Sequence, residues 1–208
     1  MGGNLTIVDM FFNRNSDFDR LSPPTFYTTR LHLRTLQPDD KAFLVELDCS
    51  ADVMKFIHSG PLRPEEAVKY AEAEIELSQY RWHLGRWIVE LRESGTRLGW
   101  VELSKFRGVF DLEEEWHGDD INLGFEFGKA YWGQGYASES ARAVLAHAFG
   151  TLKLRRVVAY AHKDNDRSTR LLERLGFRQY GLTRREDMEG AECRLFALSA
   201  TEWGQEQS

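Results

Sequence analysis

The stretch from Ile121 to Phe149, INLGFEFGKAYWGQGYASESARAVLAHAF, constrains this chain more than any other. Its first residues alternate: Leu123, Phe125 and Phe127 fall on one face, Asn122, Gly124 and Glu126 on the other. That pattern predicts a half-buried strand. Gly133 and Gly135 then bracket Gln134 in a turn, and glycine lets a backbone come close to a ligand. Beyond the turn, Ala137, Ala141, Val144, Leu145 and Ala148 recur at helical spacing, which predicts a helix with one buried face. A strand leading through a glycine turn into a helix N-terminus presents unpaired N–H groups, a physical means of holding phosphate. Two familiar phosphate motifs do not fit. A Rossmann fingerprint wants a third glycine, or its alanine substitute, where Ser138 stands and an acidic residue ending the next strand, and Walker A wants Gly-Lys-Ser/Thr.

The rest of the chain supplies elements around this unit. Residues 1–24 end in Ser22-Pro23-Pro24 and read as an N-terminal arm outside the core pattern, polar enough to be flexible. TFYTTRLHLRTL alternates as one strand, with Leu31 and Leu33 facing one way and His32 and Arg34 the other. Pro38-Asp39-Asp40 opens a first helix. Pro64, Glu65 and Glu66 open a second, marked by Ala67, Tyr70, Ala71 and Glu74 and running to about Tyr80. GRWIVEL and LGWVELSKF form a hairpin around Glu93–Thr96. Six carboxylates follow between Asp111 and Asp120, read either as a solvated loop or as an acidic rim that draws in cations. Arg155–Ala161 is a strand, Asn165–Leu175 a helix stopped by Gly176, and Phe177–Tyr180 and Glu192–Leu198 two final strands. Crossovers in the second half and hairpins in the first predict an α/β fold: a mixed sheet with helices on both faces.

Composition narrows the partners. A chain of 208 residues suits one domain, here 25–208 behind the arm. A net charge of −6 argues against nucleic acid and mildly favours a cationic partner. No apolar run approaches the ~18–20 residues of a membrane span. The apolar patch near the start lacks a basic lead and is broken by Asp9, so a secretory signal is not expected. Met1-Gly2 with Thr6 fits a myristoylation pattern only loosely, with no polybasic second anchor, and a plain arm is the preferred reading. Cys49 and Cys193 form no disulfide framework, which predicts a reducing, cytoplasmic setting. The six histidines have no metal-ligand spacing, and no metal site is expected.

Two separated segments, FGKAYWGQGYASESARAVLAHAF and NDRSTRLLERLGF, together resemble the GNAT superfamily of acyl-CoA-dependent N-acetyltransferases. TTRLHLRTLQPDD, MKFIHSGP and LGWVEL resemble, within it, the Rim-type ribosomal-protein N-terminal acetyltransferases. The likeness covers about residues 26–200. It implies a mixed, mostly antiparallel sheet of about seven strands, acetyl-CoA as acyl donor, and a primary amine acceptor. That acceptor is a protein N-terminus or a small molecule, attacking directly in a ternary complex. Neither nucleic acid nor membrane is implied as a partner, and a homodimer is compatible with the family.

By the same resemblance, Phe125, Glu126 and Phe127 would offer backbone hydrogen bonds to the pantetheine arm. The family signature (Q/R)-x-x-G-x-(G/A) falls on Trp132, Gly133, Gln134, Gly135, Tyr136 and Ala137, with Trp132 in place of Gln or Arg. Gln134 to Ser138 would cradle the pyrophosphate. Asn165 and Ser168 match the family's N-x-x-S, the asparagine holding pantetheine and the serine lying near the thioester sulfur; the alternative is a plain helix N-cap. Arg174 is a candidate for a CoA phosphate, or a solvated helix arginine.

Acetyl transfer needs a neutral amine, a donor to the thioester oxygen, and an acid for the departing thiolate. The family's oxyanion donor is a strand N–H, here near Phe127. Its acid is often a tyrosine, but Leu172 stands there, and Ser168 is the natural substitute. Asn122 stands where the family often has a glutamate and cannot serve as a base. Glu126 is the leading carboxylate, with Asp120, Glu102, Glu90 and a water chain competing. The missing tyrosine and Asn122 also motivate an alternative, a non-catalytic acyl-CoA-binding module. Residues 50–63, Trp82-His83 and the acidic loop would shape the acceptor cleft, and Trp82, Trp87 and Trp116 are candidates for cation binding or core filling.

Overall fold

Eight strands form one sheet in the computed structural model, which describes residues 24–57, 60–78, 84–105, 120–185 and 190–206. They are Phe26–Tyr27 (β1), Leu31–Thr35 (β2), Gly85–Leu91 (β3), Arg97–Lys105 (β4), Ile121–Phe127 (β5), Arg156–His162 (β6), Arg178–Arg185 (β7) and Ala191–Ser199 (β8). Their spatial order is β1-β2-β3-β4-β5-β6-β8-β7, and every pairing is antiparallel except β5 with β6. The helices are Lys41–Asp48 (α1), Ala51–Met54 (α2), Pro64–Ser78 (α3), Tyr136–Gly150 (α4), Asp166–Arg174 (α5) and Ala200–Glu206 (α6). Residues 1–23 of the expected N-terminal arm, Trp82-His83 and residues 106–119 lie outside the described residues.

Alternation along the strands sorts the two faces. Leu31, Leu33, Trp87, Val101, Leu103, Leu123 and Phe127 pack with α4 and α5 in the larger core cluster. Ile88 faces the other way, against Leu44 of α1 and Ala71 and Ile75 of α3. Trp87 is fully buried and its indole donates to Pro24 O, so it fills core.

The single opening strand expected over TFYTTRLHLRTL is in fact two. Thr28 Oγ1 and the Arg30 N–H both donate to Glu139 of α4, and the Leu31 N–H donates back to Thr28 Oγ1. This bends the chain between Tyr27 and Leu31. The helix α6 was not anticipated, although its signal is present: Ser199 and Glu202 form a reciprocal capping box.

Gly99 is a test of the β4–β5 junction. It pairs with Phe127, and a Cβ on it would lie 2.1 Å from Glu126 O and 2.7 Å from Phe127 Cα. Those are backbone atoms and cannot turn aside. Gly99→Ala is expected to cost about 1–3 kcal/mol, read as a lower urea midpoint, and to displace Phe127.

Candidate active site

The two parallel strands part almost at once. β5 and β6 pair only through Ile121↔Val157 and Asn122↔Val158. β6 nevertheless continues against β8 as far as His162↔Cys193. Residues 123–127 therefore have a strand neighbour on the β4 side only, and a wedge opens toward the C-terminal ends of β5 and β6. The Gly128 N–H donates to Leu98 O, toward β4. Main-chain groups alternate sides along an antiparallel strand, so those of Phe125 and Phe127 point into the wedge. The Phe127 carbonyl accepts from the Trp132 indole at 2.7 Å, which leaves its N–H for a ligand.

The glycine turn closes the mouth of this wedge. Gly133 (φ +76°) and Gly135 (φ +81°) are both left-handed, a region that costs other residues about 1–2 kcal/mol. The first hydrogen bond of α4 runs from the Glu139 N–H to Gly135 O at 3.0 Å. The N–H groups of Tyr136, Ala137 and Ser138 thus have no helical acceptor. The turn is braced on both sides: Gln134 Nε2 donates to Ala130 O, and Arg30 donates to Gln134 O while ion-pairing with Glu139. This is a rigid concave row of donors at the positive end of a helix, which suits a diphosphate.

Across the wedge, Asn165 caps α5, its Oδ1 accepting from the Ser168 N–H at 3.2 Å. The cap occupies only the oxygen, and among the described residues nothing accepts from its Nδ2. Capping and ligand binding are thus compatible in one side chain. Ser168 is half-buried one turn later, whereas Leu172 is fully buried in the core.

The face of β5 opposite the larger core carries the electrostatics. Glu126 is only 5% exposed, and its Oε1 receives no hydrogen bond among the described residues. Arg86 of β3, also buried, binds Glu102 at 3.0 Å and Glu74 at 3.5 Å and lies over the Trp100 ring. Gly124 makes room for this: a Cβ there would be 3.0 Å from Glu102 Cγ. Asp48, at the C-terminal end of α1, completes a set of four carboxylates around the Arg86 guanidinium, three of them buried and Glu102 half-buried. Burial, reinforced by Asp48 and Glu102 and opposed by Arg86, pushes Glu126 up to about 8. Burial and Glu74, against Arg86, push Asp48 up to about 6.

The carboxylates that competed with Glu126 are all engaged. Asp120 pairs with Arg156 at 2.6 Å, Glu90 with Arg34 at 2.6 Å, and Glu102 with Arg86. Sequence reasoning missed Asp48 and Arg86, which look like ordinary polar positions in a helix end and a strand. Glu74 carried a signal, since it lies on the same stripe as Ala67 and Ala71, all three buried. Of the expected acceptor segment 50–63, Asp52 and Phe56 reach the two walls of the wedge. Asp52 pairs with Lys129 beyond β5 at 2.9 Å, and Phe56 stacks on His162 at the end of β6. Among the described residues, no group of His, Cys, Asp and Glu could hold a metal ion, and no helix is long and apolar enough to cross a membrane.

A sheet splayed between parallel strands, with a left-handed glycine turn feeding a helix at the opening, makes a cleft with a diphosphate-sized set of donors at its mouth. Residues 30–178 match the family model described as an acetyltransferase (GNAT) domain, and the chain belongs to that family. It is an acyl-CoA-dependent N-acetyltransferase that uses acetyl-CoA as acyl donor. The chain is 26% identical over 171 residues to the uncharacterized N-acetyltransferase p20 of Bacillus licheniformis, covering 82% of this chain and 90% of that one. It is 26% identical over 151 residues to spermidine N(1)-acetyltransferase of Escherichia coli, covering 70% and 71%. The crystal structure of a GNAT-family acetyltransferase from Bacillus anthracis superposes with a TM-score of 0.70 at 23% identity, covering 86% of this chain and 99% of that one.

Proposed function

We propose that the acceptor is a small cationic primary amine, deprotonated by Glu126 and acetylated at the wedge. The observation that carries this is the buried Glu126 carboxyl, one oxygen of which has no partner among the described residues, set beside three further carboxylates and Arg86. Such an excess of acceptors attracts an ammonium group and then removes its proton. The likeness to spermidine N(1)-acetyltransferase supports a small amine, whereas the Rim-like opening sequence favours a protein N-terminus. We infer the small amine because the acidic set is buried among α1, α3 and the sheet, where a folded polypeptide end is hard to fit.

Acetyl-CoA supplies the activated acyl carbon. The N–H groups of Tyr136 to Ser138 and the Phe125 main chain hold its diphosphate and pantetheine, with Asn165 Nδ2 on the opposite wall. Glu126, as carboxylate, takes the ammonium proton, so the nitrogen lone pair is free to form the new C–N bond. The Phe127 N–H donates to the carbonyl oxygen as it gains charge. Ser168 gives a proton to the sulfur as the C–S bond breaks and regains one from the acetylated nitrogen, leaving free CoA and a neutral acetamide.

Incubation with acetyl-CoA and a panel of mono-amines, diamines and N-terminal peptides, followed by thiol release and product mass, tests this reading. Small cationic amines are expected to turn over at least tenfold faster than peptides; the reverse order, or no turnover, overturns it. Gly135→Val combines left-handed strain with a Cβ 3.4 Å from Arg30, and is expected to weaken CoA binding at least tenfold in calorimetry.

A further inference from the structure

Two arginines flank the glycine turn, and they are used differently. Arg30, on the β2 side, directs Nε and Nη2 to Glu139 at 2.7 Å and Nη1 to Gln134 O at 3.0 Å. Its charge is neutralised and its donors are occupied, which makes it a brace. Arg167, in the first turn of α5, lies on the opposite side of the wedge. It is exposed, and its guanidinium carbon sits 4.7 Å from the centre of the Trp132 ring. Among the described residues no carboxylate pairs with it; its neighbour Asp166 is paired with Arg194.

Trp132 is not free to follow a wandering cation. Its indole N–H is fixed on Phe127 O, and its ring packs against both the larger core and the cluster of Leu47, Val53 and Met54. A guanidinium stacked on such a ring keeps its plane and its outward N–H groups in one place. The position before Gly133 thus carries an aromatic platform, and a charge is delivered onto it from the other wall.

We propose that Arg167 binds the diphosphate of the acyl donor, with Trp132 as the residue that positions it. This rests on the donor site described above. It also separates Arg167 from Arg174, which lies seven residues further along α5, roughly 10 Å away along the axis. The Arg174 main-chain oxygen is engaged by Arg142 at the far end of that helix.

The test is calorimetric binding of CoA and of 3′-dephospho-CoA to wild type, Arg167→Ala, Trp132→Leu and the double variant. No acceptor is needed. A charge-assisted contact corresponds to roughly a 10- to 100-fold loss of affinity in Arg167→Ala. That loss is expected to be equal for the two ligands and to shrink at high salt, with the melting temperature unchanged. The double variant is expected to bind no more weakly than the more affected single variant, because platform and charge act as one unit. Affinity within twofold of wild type in Arg167→Ala overturns the proposal, as does a loss seen with CoA but absent with 3′-dephospho-CoA. Failure of the wild type to bind CoA would instead overturn the donor-site reading itself.

Discussion

Replacing Glu126 with glutamine is expected to lower kcat by about 10²–10⁴-fold, the range for loss of a general base, while leaving CoA affinity unchanged. In the wild type the carboxyl is pushed up to about 8 by burial and by Asp48, against the pull of Arg86. It is therefore mostly protonated at pH 7, and kcat rises as pH climbs through about 8. Glu126→Gln loses that rise. Stability moves in the opposite direction. Between the ordinary carboxylate value and about 8, the folded protein holds a proton that the unfolded chain has released. Wild-type stability contributed by this group therefore falls as pH rises across that window. The glutamine variant escapes the penalty, so its melting temperature relative to wild type increases from pH 5 to pH 9. A variant that loses activity at every pH and gains no relative stability at alkaline pH would contradict a buried, titrating base.

Asp40→Ala is expected to remove about 3–5 kcal/mol of folding stability, toward the lower end because Glu90 still holds Arg34. Asp40 is fully buried and accepts from both terminal nitrogens of Arg34 at 2.7 and 2.8 Å, from Arg97 Nε at 2.7 Å and from the Gln37 N–H at 2.7 Å. Truncation would leave Arg34 partly unpaired and the helix entry uncapped. Burial pushes the Asp40 carboxyl up, but Arg34, Gln37 and Arg97 outweigh it and hold it below its ordinary value. Its contribution is thus complete above the ordinary carboxylate range and is lost as pH falls below it. Urea unfolding at pH 7 and again at pH 3 reads both: the gap between wild type and variant is wide at the first and narrower at the second.

Local pattern carried the proposed donor side of the site, and tertiary register hid the proposed acceptor side. Alternation in INLGFEF, two glycines and a helical stripe are nearest-neighbour signals, so β5, the turn and α4 could be read from the sequence. The cap at Asn165 and the stop at Gly176 (φ +88°) are equally local. The acidic chamber is not. Arg86 meets Glu102 only because β3 and β4 pair in one register, and Glu102 finds room only because Gly124 lies opposite it. Asp48 joins them by the packing of α1, to which no spacing rule applies. The break between β1 and β2 also depends on a distant partner, Glu139. The missed α6 has no such excuse, since Ser199-Ala-Thr-Glu202 is a recognisable helix start.

The strand order also bears on how the molecule comes into being. β8 lies between β6 and β7, yet it follows both of them in the chain. β6 touches β5 through two residue pairs only, and its other edge is covered by residues 191–199 alone, so that edge stays open until β8 is in place. Phe196 and Leu198, both fully buried, arrive with that strand. The wall that carries Asn165 and Arg167 is therefore the last to gain its support, and a growing chain holds two unpaired strand edges until then. A chain that lacks that insertion therefore has no finished wall on the β6 side of the wedge.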